Sequence, residues 1–276
     1  MASVDDKLWE SVEALRAKGP LVQCLTNFVS MDIMANGLLA IGASPAMVHA
    51  TGEIGAAVPI VKAIGGAVSI NIGTLDEHWI KSFEQTVELC KANDVPWVLD
   101  PVAAGFTPLR TETAIKLMEI SPPAVLRGNG SEIMALAGAA SGGKGVDSTE
   151  GSDAALDAAK SLASKFGCVV CVSGATDFVV GADASVMTCP HGHEMLTKVT
   201  AGGCLISSVI AAFVCSRPES RTVQESAVLA FTYYGLAAEV AMRTSAGPGS
   251  FRVNFLDTLY TLTKETCDIS VRSAIA

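Results

Sequence analysis

The chain has 276 residues, of which 50% are hydrophobic and 17% charged, enough apolar material to bury one large core. A formal net charge of −9 with no Lys/Arg cluster excludes general nucleic-acid binding, although a local field can still hold a small anion. Mean hydropathy is +0.42, but the most apolar stretches are either too short to span a bilayer (204–215) or interrupted by Tyr233, Tyr234 and Glu239 (226–242); both are predicted to be buried helices, so no membrane association is expected.

The first nineteen residues carry Asp5, Asp6 and an amphipathic spacing, which predicts a helix over 4–18 rather than a secretory leader. From there short β-branched runs alternate with longer helical patterns. Strands are predicted at 21–25, 46–49, 67–70, 96–100, 124–127, 168–172, 177–180 and 185–188. Helices are predicted at 31–41, 53–64, 76–93, 112–119, 130–136, 153–166, 204–214, 223–244 and 251–265. This alternation predicts one α/β domain over 1–276, with a central, mostly parallel sheet and helices on both faces. Residues 181–184 are short enough for a hairpin, which predicts an antiparallel edge. The Gly- and Ser-rich stretch 138–151 reads as a surface loop.

Of the eight cysteines, Cys24, Cys90, Cys168, Cys171, Cys189 and Cys215 lie inside apolar runs, where a free thiol behaves as a small hydrophobe. Cys168 and Cys171 sit three apart in a strand-like run and so point to opposite faces, which argues against a redox or zinc pair. A reducing, cytoplasmic location is expected.

Four segments combine residue types that could carry chemistry. In LTKVTAGGCLISS (196–208) a small-residue turn runs into an apolar helix, so Gly202, Gly203 and Cys204 could offer unpaired N–H groups to an anion. A tight turn packing a core helix reads equally well from the spacing. At that helix start the dipole would favour a Cys204 thiolate able to take a proton from an attacking hydroxyl; an inert core cysteine is the alternative. In LRGNGSEI (126–133), Asn129 and Glu132 are either oxygen ligands for a largely hydrated Mg²⁺ or a helix cap. Asp100 ends the apolar strand of WVLDPVAAG (97–105) at the edge where α/β sheets collect ligands, unless it only forms a turn before Pro101. Thr26, Asn27 and Met47, from CLTNFVSMD (24–32) and GASPAMV (42–48), offer two polar handles and a soft thioether for a small sulfur-containing ring, although Met47 also suits ordinary core packing.

With NIGTL (71–75), VSGATDFV (172–179) and GPGSF (247–251), these segments occur in an order that resembles the hydroxyethylthiazole kinases, ribokinase-like enzymes of thiamin salvage, over about residues 21–251. The resemblance implies a ribokinase-like fold, ATP as phosphoryl donor, Mg²⁺, a thiazole alcohol as acceptor, and a homotrimer with its acceptor sites at subunit interfaces. It also implies roles for particular residues. Met47, Asn27, Gly73 and Ala201 would face the acceptor; Arg127, Ser173, Gly202 and Gly203 would contact ATP. Asp100 and Glu132 would form the acidic pair around the metal, and Cys204 would stand where most of the superfamily places a catalytic aspartate. Two positions depart from the commoner pattern: Ala201 replaces Gly and Ser173 replaces Thr. A kinase of a related alcohol, such as a hydroxymethylpyrimidine or pyridoxal, and a nucleotide-dependent lyase or non-catalytic sensor on the same fold are the rival readings.

Overall fold

A computed structural model describes residues 3–140 and 151–275. Its eight-stranded sheet has the order β2-β1-β3-β4-β5-β6-β7-β8. The strands are β1 (Leu21–Leu25), β2 (Ser44–Ala46), β3 (Ala67–Asn71), β4 (Trp97–Asp100), β5 (Val125–Asn129), β6 (Val169–Ser173), β7 (Asp177–Val180) and β8 (Val186–Cys189). Strands β1 to β6 run parallel, while β7 and β8 pair antiparallel through the predicted hairpin.

Ten α-helices are described. They are α1 (Val4–Lys18), α2 (Met31–Ile41), α3 (Thr51–Ala63), α4 (Glu77–Asn93), α5 (Pro108–Ile120), α6 (Gly130–Ala140), α7 (Gly151–Phe166), α8 (Gly202–Ser216), α9 (Val223–Met242) and α10 (Pro248–Thr261). One apolar core joins α1, α2, α8, α9 and α10 to one face of the sheet, and a second joins α3 to α7 to the other. Cys168 belongs to one core and Cys171 to the other, as strand alternation requires, and all eight cysteines are free. The apolar stretches of α8 and α9 are buried in the first core, and no helix among the described residues is long and apolar enough to cross a membrane.

Several elements differ from expectation. The second strand lies at Ser44–Ala46, not 46–49, because Ser44 to Ala46 meet the β1 ladder while the chain beyond leaves the edge. Two helices begin about a turn earlier than their apolar spacing predicts, because Pro108 and Pro248 open α5 and α10, where a missing N–H costs nothing; α3, α7 and α8 each begin two residues earlier. Of the predicted loop 138–151, residues 138–140 continue α6, Gly151 opens α7, and 141–150 lie outside the described residues.

Candidate active site at the carboxyl edge of the sheet

Parallel strands deliver their last residues to one edge. Register sets Asn71 beside Asp100 and Asn129 beside Ser173, and α8 starts above them. A buried polar chain follows. Asn27 donates from Nδ2 to Asn71 Oδ1 at 2.7 Å and lies 3.5 Å from Cys204 Sγ. Asn71 donates to Asp100 Oδ2 at 2.9 Å, and Ser207, one turn into α8, donates to the same oxygen at 2.8 Å. Gly73 has to be glycine for this arrangement, since a Cβ there would stand 2.6 Å from Asn27 Nδ2.

Arg127 ties the chain to its other side. Its Nη1 lies 3.8 Å from Asp100 Oδ2 and donates to Gly203 O at 3.0 Å, while Nε donates to Ser173 Oγ at 2.9 Å. Tyr234 donates from its hydroxyl to Gly202 O at 2.7 Å. Both turn carbonyls are therefore pulled back into protein. Gly202 N reaches Val199 O and Leu205 N reaches Ala201 O, so among the described residues the N–H groups of Gly203 and Cys204 are left as donors at the helix start. Ala201 itself is left-handed, at φ 65° and ψ 14°.

Asp100 is buried, and loss of hydration pushes its carboxyl up to about 6 despite Arg127, Ser207 and Asn71, with Glu132 adding to the rise. Burial, and then the charge of Asp100, also raises the Cys204 thiol. This corrects the thiolate expected from the helix-start position: the desolvation penalty outweighs the dipole, and the resting side chain is a neutral thiol. Glu132 makes the capping arrangement. Its Oε2 accepts from Asn129 N at 2.8 Å, Asn129 Oδ1 accepts from Glu132 N at 3.0 Å, and Oε1 accepts from Ala103 N at 2.8 Å.

A cavity of about 580 Å³ adjoins this edge and is lined by Arg127, Ser173, Gly202 and Gly203, together with Asp177 and His191. Asp177 was not expected there; burial pushes its carboxyl up to about 7, against a backbone bond from Gly174 and the charge of Arg127. Met47 is half-buried and packs on the same core face as Ala201 and Cys204, but no described hydrogen bond joins its side chain to the polar chain. Asn71, Ser207 and Arg110 were also missed. Arg110 donates to the carbonyls of Ile72, Gly73 and Val102 and so clamps two strand-end loops. A second cavity, at the opposite edge, is lined by Lys18, Lys62, Lys91 and Arg217, but each of these cations bonds a backbone carbonyl, as helix C-termini favour.

A model of the hydroxyethylthiazole kinase family matches residues 12–265. This chain belongs to that family. It is 44% identical to the hydroxyethylthiazole kinase of Cereibacter sphaeroides over 261 residues, covering 95% of this chain and 96% of the relative. Identity to the enzyme of that name from Zea mays is also 44%, over 98% of this chain and 93% of the relative. A solved hydroxyethylthiazole kinase structure from Pyrococcus horikoshii OT3 superposes with a TM-score of 0.87 at 33% identity, over 98% of each chain. An ADP/ATP-dependent NAD(P)H-hydrate dehydratase from Bacillus subtilis, crystallised with ATP and Mg²⁺, has a TM-score of 0.56 at 16% identity over 88% of this chain and 90% of that one; it shares the fold.

The donor set can be tested against the metal that kinases of this fold imply. No group of three or more His, Cys, Asp or Glu among the described residues could cage an ion. Asp100 and Glu132 are nevertheless hard oxygen donors with lone pairs left over, which suits Mg²⁺ held through water and substrate phosphates rather than by an all-protein cage.

Proposed function

We propose that the chain, acting as one catalytic domain, transfers the γ-phosphoryl group of ATP to the primary hydroxyl of 4-methyl-5-(2-hydroxyethyl)thiazole, giving the thiazole phosphate and ADP in thiamin salvage. Membership of the hydroxyethylthiazole kinase family over most of the chain carries this reading. The geometry supports it: free amides at Gly203 and Cys204, backed by Arg127, adjoin a cavity of about 580 Å³.

In the transfer, the acceptor oxygen attacks phosphorus as the bond to the ADP oxygen breaks, through a loose transition state that depends mainly on positioning and charge. The amides of Gly203 and Cys204 stabilise charge on the transferring group, and Arg127 offsets charge on the donor. Mg²⁺, when bound, would neutralise phosphate charge, with Asp100 and Glu132 ordering its water shell. Asn27 and the Cys204 thiol orient the acceptor hydroxyl. A neutral thiol cannot accept a proton at rest, so Cys204 acts first by position; the hydroxyl proton is given up late, once the new P–O bond has made that oxygen acidic, and passes to an oxygen of the transferred phosphoryl group or to water. Met47, Ala201 and Gly73 line the acceptor side, and Ser173 holds Arg127 on the nucleotide side.

We also read the active form as a cytoplasmic homotrimer with acceptor sites completed at the subunit interfaces. Phe28 and Phe106, 65% and 82% exposed, lie on loops at this same edge and give that interface apolar surface. ADP release measured over a panel of alcohols tests the activity: turnover is expected with the thiazole alcohol and not with hydroxymethylpyrimidine or pyridoxal. Binding of thiazole and ATP without ADP formation would refute it. Light scattering at three times the 28.4 kDa chain mass checks the assembly.

A further inference from the structure

The cavity beside Arg127 and Gly203 is also lined by four consecutive residues, His191 to Glu194. Residues 191–193 have no regular structure, so their position depends on what they are tied to. The tie is Glu239 on α9. Its Oε1 accepts from His191 Nδ1 at 3.0 Å, from Gly192 N at 3.1 Å and from Arg272 Nη2 at 3.1 Å. The His191 side chain is fully buried, and its Nε2 accepts from Arg272 N at 2.9 Å, which leaves the ring proton on Nδ1 for Glu239.

Two glycines make the arrangement possible. Gly192 has φ 140°, a value that side chains disfavour. Gly235 brings α9 against His191 so closely that a Cβ would lie 2.6 Å from the His191 carbonyl carbon. The C-terminal segment then closes over the edge of β8. Thr188 and Ala274 exchange backbone bonds of 3.2 and 3.0 Å, and Ser273 bonds Thr232 at 2.6 Å in a buried position. This segment lies beyond the 12–265 range of the family match.

We infer that the C-terminal segment is a working part of the nucleotide site: Arg272, acting with Glu239, positions the wall formed by residues 191–194, and affinity for ATP depends on it while affinity for the acceptor does not. The charge arrangement fits that role. Glu239 stands directly behind the lining residues His191 and Gly192, where an uncompensated carboxylate would repel a polyanion in the cavity, and Arg272 offsets that charge while holding the carboxylate in place. The inference rests on the phosphoryl-transfer reading, and Arg272 and Glu239 are positioning residues that touch no reacting atom.

The test is two-substrate kinetics on the full-length enzyme, on Arg272→Ala, Arg272→Lys and Glu239→Ala, and on a chain lacking residues 272–276, each paired with titration of ATP binding. Arg272→Ala and the shortened chain are expected to raise KM and Kd for ATP about tenfold (about 1.4 kcal/mol), with KM for the acceptor within about twofold of the parent. Glu239→Ala should do the same, and Arg272→Lys should recover most of the loss. If the shortened chain does not fold, Arg272→Ala decides, because its side chain is 55% exposed and its removal leaves the backbone bond to His191 intact. Unchanged ATP affinity, or equal rises in both KM values, overturns the inference. Absence of ADP formation by the parent enzyme overturns the kinase reading instead, and the ATP titrations still decide the role of the segment.

Discussion

Replacing Ser207 with Ala removes one of two hydrogen bonds to the buried Oδ2 of Asp100 and leaves Asn71 at 2.9 Å and Arg127 at 3.8 Å. A hydrogen bond to a charged acceptor contributes about 1.5–3 kcal/mol, and one pKa unit corresponds to about 1.4 kcal/mol, so the carboxyl should rise by about one to two units. It starts at about 6 and should therefore reach roughly 7–8 in Ser207→Ala. If transfer needs the carboxylate, kcat/KM of the parent falls as pH drops through about 6, and the variant's acidic limb moves up by the same one to two units. Stability should follow the same group. Its folded value lies above the ordinary 3.8, so its contribution is present below 3.8 and is lost as pH rises through about 6, a difference of about 3 kcal/mol. In Ser207→Ala that window extends upward, so the variant should lose more stability at pH 8 than at pH 5. The assays are kcat/KM from pH 5 to 9 and thermal melts at the two extremes. Coincident acidic limbs in parent and a folded Ser207→Ala would show that Asp100 is not the group controlling activity.

Three further perturbations address other parts of the site. Gly73→Ala places a methyl against Asn27, and overpacking of this kind costs about 1–3 kcal/mol, so both melting temperature and kcat/KM should fall; an unchanged variant would mean that Asn27 is free to move. Ala201→Val puts a branched side chain at φ 65° and should destabilise by about 1–3 kcal/mol, whereas Ala201→Gly should melt within about 2 °C of the parent, because relief of left-handed strain is offset by chain entropy and lost methyl packing. A thermal melt that ranks Val above Gly would contradict the left-handed turn. Cys204→Asp supplies a carboxylate base and should keep or raise turnover; a loss above about 10³-fold (about 4 kcal/mol) in folded protein would place the thiol's function elsewhere.

The fold was legible to the extent that each element depends on its own residues. Apolar runs of the right length marked seven strands to within a residue or two, and the hairpin followed from four residues between two such runs. The second strand was misplaced because Ser44-Pro45-Ala46 has no β-branched side chain; it is a strand only because β1 offers it an edge. Helix starts were missed where a proline or glycine opens the first turn, as at Pro108 and Gly202, since apolar periodicity begins only once a side chain faces the core.

The site was legible in its residue types and not in its connections. Asp100, Arg127 and Gly203 stood out because a charge at a strand end or a glycine at a helix start is locally unusual. Asn71 and Ser207 lay within segments already singled out, yet each looked like an ordinary polar residue, because the meaning of both depends on one oxygen 29 and 107 residues away in sequence. That separation also explains the error over Cys204. Its local setting, a helix start, favours the anion, but the low-dielectric surroundings and the neighbouring Asp100 charge come from strands that the local sequence does not contain. In a buried network the sign of a titration is thus set by partners brought in by topology, and a residue's chemistry can be read from its own segment only where water still screens those partners.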